Sequence, residues 1–333
     1  MDRVKVELLR DLDAVERDAA GALDRSRQPC LHSRLSWFRL LAKHCPPDGE
    51  LKVARAERAD SKAWLFLANG GHGAEAYAAW YSLRFGLIGD PGLGAELARA
   101  LRNEKLATLS LAPVADPEPL VAAFKRGGWV AAARPATGNW VAHTAGLTFA
   151  DYWAKRPGKL RSTAQRKAKA AGLDIVIHDR FDEDAWSAYE AVYRSSWKPE
   201  EGSFPFLRAL ADQEGRAGTL RLGIARKDGR PVAAQLWLVE GGIATIHKLA
   251  YAEDAKQLSP GTLLGMAMFR RAIDQDRVRE IDYGTGDDDY KRDWMDERRQ
   301  LWRVIAHNPR TPRGLAGALR ERGSALVARL TSR

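Results

Sequence analysis

A short turn in the second half of the chain has the sequence of a phosphate-binding helix start. Residues 259–262 read Ser-Pro-Gly-Thr and open an apolar helix that runs to about residue 274. Serine is a favoured N-cap residue, and proline suits the first helical position. The unpaired N–H groups and the dipole of such a start attract a pyrophosphate, and Gly261 would let the backbone approach it closely. An ordinary capped core helix would explain the same residues, so the choice between the two interpretations depends on the surrounding elements.

Several titratable side chains lie near this turn in the sequence. His247 is a candidate base, acting directly or through water, because histidine titrates near neutrality. Asp282 is a second candidate base, which could instead orient Lys291 or bind an amine. Three aspartates at 287–289 stand beside Tyr290 and would either attract a cationic acceptor or form a solvated loop. Their spacing does not match a calcium loop, and the chain has only two cysteines, so we expect no metal.

The net charge of +10 is concentrated in two segments. Residues 155–169 carry seven lysines and arginines and no acid, and residues 303–333 carry seven arginines against one glutamate. Such patches favour anionic partners: phosphates, nucleic acid or a membrane surface. For 155–169, a solvated helix face is the alternative. Because the N-terminus lacks the apolar core of a secretory signal and no stretch approaches the roughly 20 apolar residues of a membrane span, we expect a cytoplasmic protein.

The order of elements around the turn is easier to predict in the second half than in the first. Apolar alternation and Gly-containing turns predict strands at 220–224, 231–239 and 243–251, then the helix from 259, then a strand at 279–283, with helices at 182–197 and 204–213 ahead of them. The first half shows the same order, with a helix at 33–44, strands at 51–57, 63–68 and 75–81, a helix at 93–103 and a strand at 106–111.

Two matched positions indicate that the halves are an internal duplication. The Pro-Gly helix start at 91–92 lies 169 residues before its counterpart at 260–261, and Phe124 lies 166 residues before Tyr290. We therefore predict an α/β protein with one unit at 1–148, a second at 149–312 and a C-terminal helix at 313–333.

The predicted elements resemble a known family. Three antiparallel strands, a helix opened by a glycine turn and a parallel strand form the core order of GNAT acyltransferases. The stretches Leu-Ser-Pro-Gly-Thr-Leu-Leu at 258–264 and Ile-Asp-Tyr-Gly-Thr-Gly-Asp-Asp-Asp-Tyr-Lys at 281–291 are similar to the CelD-like acetyltransferase branch. That branch is related to the Fem-type peptidoglycan ligases, which carry tandem GNAT units. The resemblance implies two tandem GNAT-like units, each a mixed, mostly antiparallel sheet flanked by helices.

The resemblance also implies how the donor would be held. Ser259, Gly261 and Thr262 would bind the pyrophosphate of acyl-CoA, with Gln257 as the basic or amide residue that the family carries ahead of the turn. A backbone N–H near Leu249 and Tyr251, on the third strand, would stabilise the oxyanion.

The remaining roles concern the thiol and the acceptor. Tyr290 would protonate the leaving thiolate, because the pKa of a phenol, about 10, is near that of a departing thiol. Phe124 has no proton to give, which makes the first unit a degenerate copy with a structural or acceptor-shaping role. Asp287 and Lys291 would contact the acceptor.

These roles predict N-acyl transfer from acetyl-CoA or a longer acyl-CoA to an amine on a cell-envelope precursor: an amino sugar, a glycan, a peptide or an amino lipid. Two alternatives stay open. One is a Fem-type ligase that uses aminoacyl-tRNA, whose phosphates the basic run would hold. The other is a non-catalytic module that kept the fold, against which Tyr290 argues.

The C-terminal segment has the pattern of a basic amphipathic helix. Four leucines fall within about 60° of one another at 100° per residue, flanked by two arginines: Leu315, Leu319, Leu326 and Leu330, with Arg322 and Arg329. Such a helix would either dock on the protein core or lie on an anionic membrane. The second case would place the protein at the inner face of the membrane, beside a lipid-borne acceptor.

Overall fold

The computed structural model of the protein describes residues 4–331, and its description of side chains omits Arg322 and residues 324–331. The chain divides into two compact units. Residues 1–137 and 300–333 form the first unit, and residues 138–299 form the second. This division falls earlier than the predicted boundaries at 148 and 312.

The elements are numbered in chain order. The strands are β1 (Lys5–Leu9), β2 (Glu50–Arg58), β3 (Ser61–Gly70), β4 (Gly73–Ala76), β5 (Ile88–Gly89), β6 (Thr108–Val114), β7 (Val130–His143), β8 (Asp174–His178), β9 (Leu220–Lys227), β10 (Arg230–Glu240), β11 (Ile243–Tyr251), β12 (Glu280–Thr285) and β13 (Glu297–His307). The helices are α1 (Leu12–Ala19), α2 (Leu35–His44), α3 (Gly94–Asn103), α4 (Glu118–Arg126), α5 (Phe149–Ala154), α6 (Gly158–Ala171), α7 (Glu183–Arg194), α8 (Phe204–Arg216), α9 (Pro260–Arg270), α10 (Asp289–Arg292) and α11 (Pro312–Thr331).

The first unit is built on a mixed, mostly antiparallel sheet. Its strands run in the order β1-β2-β3-β4-β6-β13, and β5 adds to β3. Only the β4–β6 pair is parallel among the pairs described in this unit. The buried leucines of α3 and α4 pack on the sheet together with Phe124 and Trp129.

The second unit repeats this plan. Its strands run in the order β7-β12-β11-β10-β9-β8, and β11 and β12 form the parallel pair. Helix α9 packs on β9 and β10. Gly223 of β9 allows that approach, since a Cβ there would lie 2.6 Å from the sulfur of Met268. An apolar cluster that includes Trp237, Phe269 and Trp294 forms the core of this unit.

Two strands, β7 and β13, explain where the predicted boundaries differ from the observed division. Strand β7 contributes residues 130–137 to the first unit, while residues 139–143 pair with β12 in the second. In the same way, most of β13 pairs with β6 of the first unit after the chain leaves the second. No turn lies where β7 or β13 passes from one unit to the other, so turn signals in the sequence could not predict these boundaries.

The C-terminal helix α11 packs through a face made of small residues. Gly314, Gly317 and Ala318 are buried, and a Cβ at Gly314 would lie 2.7 Å from the carbonyl oxygen of Ala107. Leu315 and Leu319 point away from the core and are 46% and 62% exposed. The first part of the predicted leucine stripe therefore lies at the surface.

The other members of that stripe lie outside the described side chains. These are Leu326 and Leu330, together with the flanking Arg322 and Arg329.

Candidate active site

The parallel strands of the second unit separate and leave a wedge between them. Strands β11 and β12 pair from Ile243–Glu280 to Thr245–Asp282, and no pairing is described beyond that point. His247 is the extra residue of a bulge in β11, because the register against β10 skips it. Bulges bend a strand away from its neighbour, so the bulge accounts for the divergence.

Backbone donors line one side of this wedge. The N–H of Ala252 donates to the carbonyl of Val232 in β10. Successive N–H groups of a strand point to opposite sides, so those of Leu249 and Tyr251 face away from β10, toward the wedge. These are the two residues at which the sequence predicts the oxyanion donor.

A cavity of about 390 Å³ occupies this region. That volume is in the range of small-molecule sites. Six predicted residues lie in its wall: Leu249, Tyr251, Ser259, Gly261, Thr262 and Tyr290. Aromatic and apolar side chains from neighbouring elements complete the wall, among them Leu160, Trp197, Phe269, Tyr283 and Trp294.

The start of α9 opens onto the cavity without a side-chain cap. Ser259 adopts a left-handed conformation with φ of 54°, and its side chain makes no capping hydrogen bond. Gly261 sits against Tyr251, since a Cβ would lie 3.1 Å from that ring. The N–H groups of Thr262 and Leu263 donate to the Ser259 carbonyl, and no partner among residues 4–331 is described for the N–H of Gly261. That N–H and the helix dipole make this position suited to an anion such as a pyrophosphate.

The corresponding place in the first unit is partly filled by the chain itself, and a smaller cavity of about 270 Å³ remains beside Phe85 and Leu87. The carboxylate of Asp90 accepts the N–H of Gly92 at 2.8 Å and so caps the helix start. Beyond the β4–β6 pairing, the N–H of Phe85 donates to the carbonyl of Pro113 at 2.7 Å, and Phe85 and Leu87 pack on the core. A negative charge and an apolar segment therefore stand where a donor would bind.

The same segment also accounts for a strand that is shorter than predicted. The sequence predicted a strand at 75–81, but β4 ends at Ala76. The following residues leave the sheet and run back beside β6, where Phe85 is held.

Tyr290 lies in the cavity wall, and its hydroxyl is protonated, as a general acid requires. Its ring lies 5.8 Å from that of Tyr283, centroid to centroid. Desolvation by its surroundings, followed by the negative charge of Asp288, raises the pKa of Tyr290 even though 41% of the residue is exposed. The nearby Tyr283 hydroxyl lowers the pKa of Tyr290, an effect smaller than the two that raise it. Phe124, by contrast, is 2% exposed and packs against Trp129.

The two predicted bases have surroundings that do not suit a base. Burial lowers the pKa of His247 to about 4, so its imidazole is neutral but very weakly basic. Asp282 is buried and accepts hydrogen bonds from the Asn139 amide at 2.6 Å and from the Gly284 N–H at 2.8 Å. Its carboxylate thus fixes the end of β12, and we propose this positioning role for it in place of the predicted base.

The predicted acceptor residues also have structural partners. Asp287 accepts from Arg298 at 2.9 Å and from the Trp140 indole at 2.8 Å, so its charge is already compensated. Lys291 is buried and donates to the carbonyl of Thr285 at 2.8 Å, which braces the loop that carries Tyr290. We therefore reassign Asp287 and Lys291 from the acceptor to the loop.

Gln257 does not line the cavity. Its side chain is exposed, and its backbone carbonyl accepts a hydrogen bond from Lys167 of α6.

Lys198, the residue after the cavity-lining Trp197, is one that the sequence reasoning missed. The Trp197 ring lies 4.1 Å from that of Tyr251, and the ammonium of Lys198 is 5.8 Å from the Trp197 ring centre. Burial, and then the positive charge of Lys248, lower the pKa of Lys198 to about 8. No signal in the sequence marks it, because its surroundings come from elements distant along the chain.

Lys198 belongs to a group of charges around one loop. Lys248 is buried and forms an ion pair with the buried Glu201 at 2.9 Å. Asp288 and Lys291, which flank Tyr290, also act on the charge of Lys198. The lysine thus stands in the electrostatic reach of the segment that carries the candidate acid.

Neither a metal-binding group nor a membrane-spanning helix is found among the residues that the structure describes. Between residues 4 and 331 no group of three or more His, Cys, Asp or Glu side chains has an arrangement that could hold a metal ion. Within the same range no helix combines the length and apolarity that crossing a membrane requires.

The family comparison agrees with this geometry. Residues 154–292 match the family model of the acetyltransferase (GNAT) domain. This segment is a GNAT domain. The match includes the diverging strands, the uncapped helix start and Tyr290, so the GNAT domain contains the candidate site.

Solved structures share the fold over almost the whole chain at low sequence identity. The C-terminal domain (DUF2156) of a protein named as a lysylphosphatidylglycerol synthetase from Agrobacterium fabrum aligns with a TM-score of 0.59 and 15% identity, over 95% of this chain and 96% of that one. L-PGS from Bacillus licheniformis aligns with 0.55 and 13%, over 96% and 95%. FemX aligns with 0.55 and 10%, over 80% and 94%. No curated protein sequence matches the chain. Two GNAT-like units, the second containing the GNAT domain, thus describe the fold.

Proposed function

We propose that the protein is an N-acyltransferase that moves an acyl group from acyl-CoA to an amine on a cell-envelope precursor. The observation that carries this proposal is the open wedge of the GNAT domain, with an uncapped helix start at one end and Tyr290 in its wall. The name of one structural neighbour, which refers to a phosphatidylglycerol, supports an acceptor in the cell envelope.

The chemistry needs four groups, and the site has a candidate for each. The amine nitrogen attacks the thioester carbon, and the N–H groups of Leu249 and Tyr251 stabilise the oxyanion that forms. The nitrogen loses a proton to a base, the C–S bond breaks, and Tyr290 protonates the leaving sulfur. The products are an amide and a free thiol, with one proton moved in net terms from nitrogen to sulfur.

Lys198 is the base in this proposal. A lysine with a pKa of about 8 is roughly one-fifth neutral near pH 7.4, a far larger fraction than an ordinary lysine has. Its neutral amine is a much stronger base than an imidazole with a pKa of about 4. The charges of Lys248, Glu201, Asp288 and Lys291 all act on its ammonium group.

Replacing Lys198 by methionine is expected to lower kcat by about 10²–10⁴-fold, the usual effect of losing an acid or base. Because only the neutral amine is a base, kcat of the wild type should rise with pH and level off above a pH of about 8. The variant should lose this rise while its donor Kd stays unchanged. A pH–rate profile with a free-thiol assay measures both, and Lys125→Met, at an exposed lysine of the first unit, is the matched control. A variant that keeps the full pH profile would remove Lys198 from the chemistry.

The donor class is tested directly by calorimetry of the full chain against acetyl-, octanoyl- and palmitoyl-CoA. Binding of at least one of them at moderate salt is expected. The alternative donor is an aminoacyl-tRNA, which the name of a neighbour that refers to lysyl transfer supports. A protein that ignores all three thioesters and binds tRNA with a steep salt dependence would establish that alternative. Binding of CoA without any turnover would indicate a non-catalytic module.

We also propose that α11 brings the enzyme to an anionic membrane surface. Leu315 and Leu319 are exposed, and Arg313 and Arg320 beside them are exposed as well. Exposed apolar area and cations on one helix favour an anionic leaflet, where each basic residue contributes about 1 kcal/mol.

The double variant Leu315→Glu, Leu319→Glu should bind vesicles that contain an anionic lipid at least about tenfold more weakly, because both the apolar area and the charge attraction are reduced. Both positions are exposed, so the fold should survive. The control places two glutamates at other exposed positions of the same unit, Gly70 and Ala122. Co-sedimentation at low salt measures the effect, and equal binding by both variants would refute this role of the helix.

A further inference from the structure

We propose that the buried ion pair between Lys248 and Glu201 is a positioning element, which anchors the segment between α7 and α8 beside the wedge and so holds Lys198 in place. This inference rests on the proposed function, because Lys198 is the base of that reaction. It gives Lys248 and Glu201 a role that acts through Lys198 alone.

The ion pair is short and almost fully removed from water. The ammonium of Lys248 lies 2.9 and 3.0 Å from the two carboxylate oxygens of Glu201, and the side chains are 9% and 1% exposed. The same carboxylate accepts the N–H of Gly202 at 3.1 Å. The ring centre of Tyr193, on α7, lies 5.8 Å from the ammonium. Removing one partner of such a pair leaves a buried charge uncompensated, so the two side chains hold each other firmly.

The segment that joins α7 to α8 has two further contacts at the end of β11. The carbonyl of Ser195 accepts the N–H of Glu253 at 3.1 Å. The ring of Trp197 lies 4.1 Å from that of Tyr251, centroid to centroid. Together with the ion pair of Glu201, these contacts hold the segment to a single strand.

The segment passes from one face of the sheet to the other between these contacts. Side chains alternate along a strand, and that of Tyr251 lines the cavity, so that of Lys248 lies on the opposite face, beside α7. Trp197 is therefore held on the cavity side and Glu201 on the far side. Because β10 stays paired with β11 as far as Tyr251, residues 198–200 can pass only on the β12 side or beyond the end of β11. Both routes border the wedge.

The charges that act on Lys198 come from both strands of the wedge. Lys248 lies on β11, whereas Asp288 and Lys291 follow β12. Burial lowers the pKa of Lys198 most, and burial depends on the segment being held in place. The positive charge of Lys248 lowers that pKa further, whereas the negative charge of Glu201 raises it. The ion pair thus sets both the place and the electrostatic surroundings of the amine.

The experiment replaces the ion pair by apolar side chains in the double variant Lys248→Met, Glu201→Met of the full chain. Such a replacement often preserves the fold. The pKa of Lys198 is measured from the pH dependence of its labelling by acetic anhydride, read by mass spectrometry. Without the anchor we expect this pKa to rise from about 8 toward the ordinary value of about 10.4. The neutral fraction near pH 7.4, and kcat with it, should then fall on the order of a hundredfold.

A single variant and a control complete the series. Lys248→Gln keeps a hydrogen-bond donor for Glu201 but removes the positive charge, so it should raise the pKa of Lys198 by less than the double variant does. The control Lys52→Met, Glu104→Met removes an ion pair of 3.3 Å in the first unit, whose lysine is also 9% exposed. It should leave the labelling of Lys198 and kcat unchanged, and thermal melting reports the fold of every variant.

The labelling needs no substrate, so the inference and the proposed function can fail separately. Folded variants that label Lys198 with the wild-type pKa would refute the positioning role and leave the proposed function intact. A raised pKa without any change in kcat would support the anchor and remove Lys198 as the base. A wild type in which Lys198 reacts with an ordinary pKa of about 10.4 would overturn both.

Discussion

Replacing Gly261 by glutamate is expected to abolish acyl-CoA binding. The new side chain would enter the space between the α9 start and Tyr251, where even a Cβ comes within 3.1 Å of the ring. It would also place a carboxylate against a pyrophosphate, and juxtaposing like charges costs several kcal/mol, which corresponds to more than about a hundredfold in affinity. Calorimetry and the thermal shift produced by CoA both report the loss.

Two controls separate this effect from unfolding. Gly70→Glu adds the same charge in the first unit, where a Cβ would meet nothing within 4 Å, and should bind CoA like the wild type. Gly261→Ala adds only the methyl group, so it should weaken binding far less than the glutamate. Wild-type affinity in Gly261→Glu, with the fold intact, would place the donor elsewhere.

The second large effect is expected for Tyr290→Phe. This change removes only the hydroxyl that is proposed to protonate the sulfur, and it leaves the ring in place. Loss of a general acid costs about 10²–10⁴-fold in kcat, whereas donor affinity should change little because the ring remains in the cavity wall.

The measurement is a free-thiol assay under conditions in which the chemical step limits the rate. Tyr77→Phe in the first unit is the matched control, since it removes a buried phenolic hydroxyl outside the cavity. Unchanged turnover in Tyr290→Phe would show that the hydroxyl has no role in the chemical step and that this tyrosine only packs. The mirror change Phe124→Tyr should create no activity, because Asp90 still caps the helix start of that unit.

Much of the architecture could be predicted because local patterns agree with the fold. The alternation at 220–224, the Asp-Gly turn and the Pro-Gly helix starts describe contacts between residues close in sequence. The structure has β9, β10, β11, β12 and α9 at those places. The resemblance to GNAT enzymes extended these patterns to a fold, and the family match over 154–292 confirms the GNAT domain.

The site roles that changed all depend on partners from distant parts of the chain. Asp287 is compensated by Arg298, and Asp282 by the amide of Asn139, which lies 143 residues earlier. The residue type and the local spacing gave no sign of these contacts. Lys198 was missed for the converse reason, because burial in the folded protein creates its low pKa.

The tail shows a competition between two patterns on one helix. The leucines of α11 suggested the packed face, but Gly314 and Gly317 allow the backbone to approach closer than leucines would. In the described part of the helix, the small residues therefore form the packed face, and the larger apolar side chains are exposed.

If the second unit binds acyl-CoA as proposed, the segment that partly fills the first unit predicts one bound donor per chain. A chain with two GNAT-like units could in principle bind two donors. In the first unit, however, Phe85 and Asp90 stand where a second donor would bind. A titration with CoA should therefore saturate at half the number of units, as a single class of sites without cooperativity. The CoA titration can then be fitted with a one-site isotherm. A variant of the second unit that loses CoA binding should therefore lose the entire titration signal.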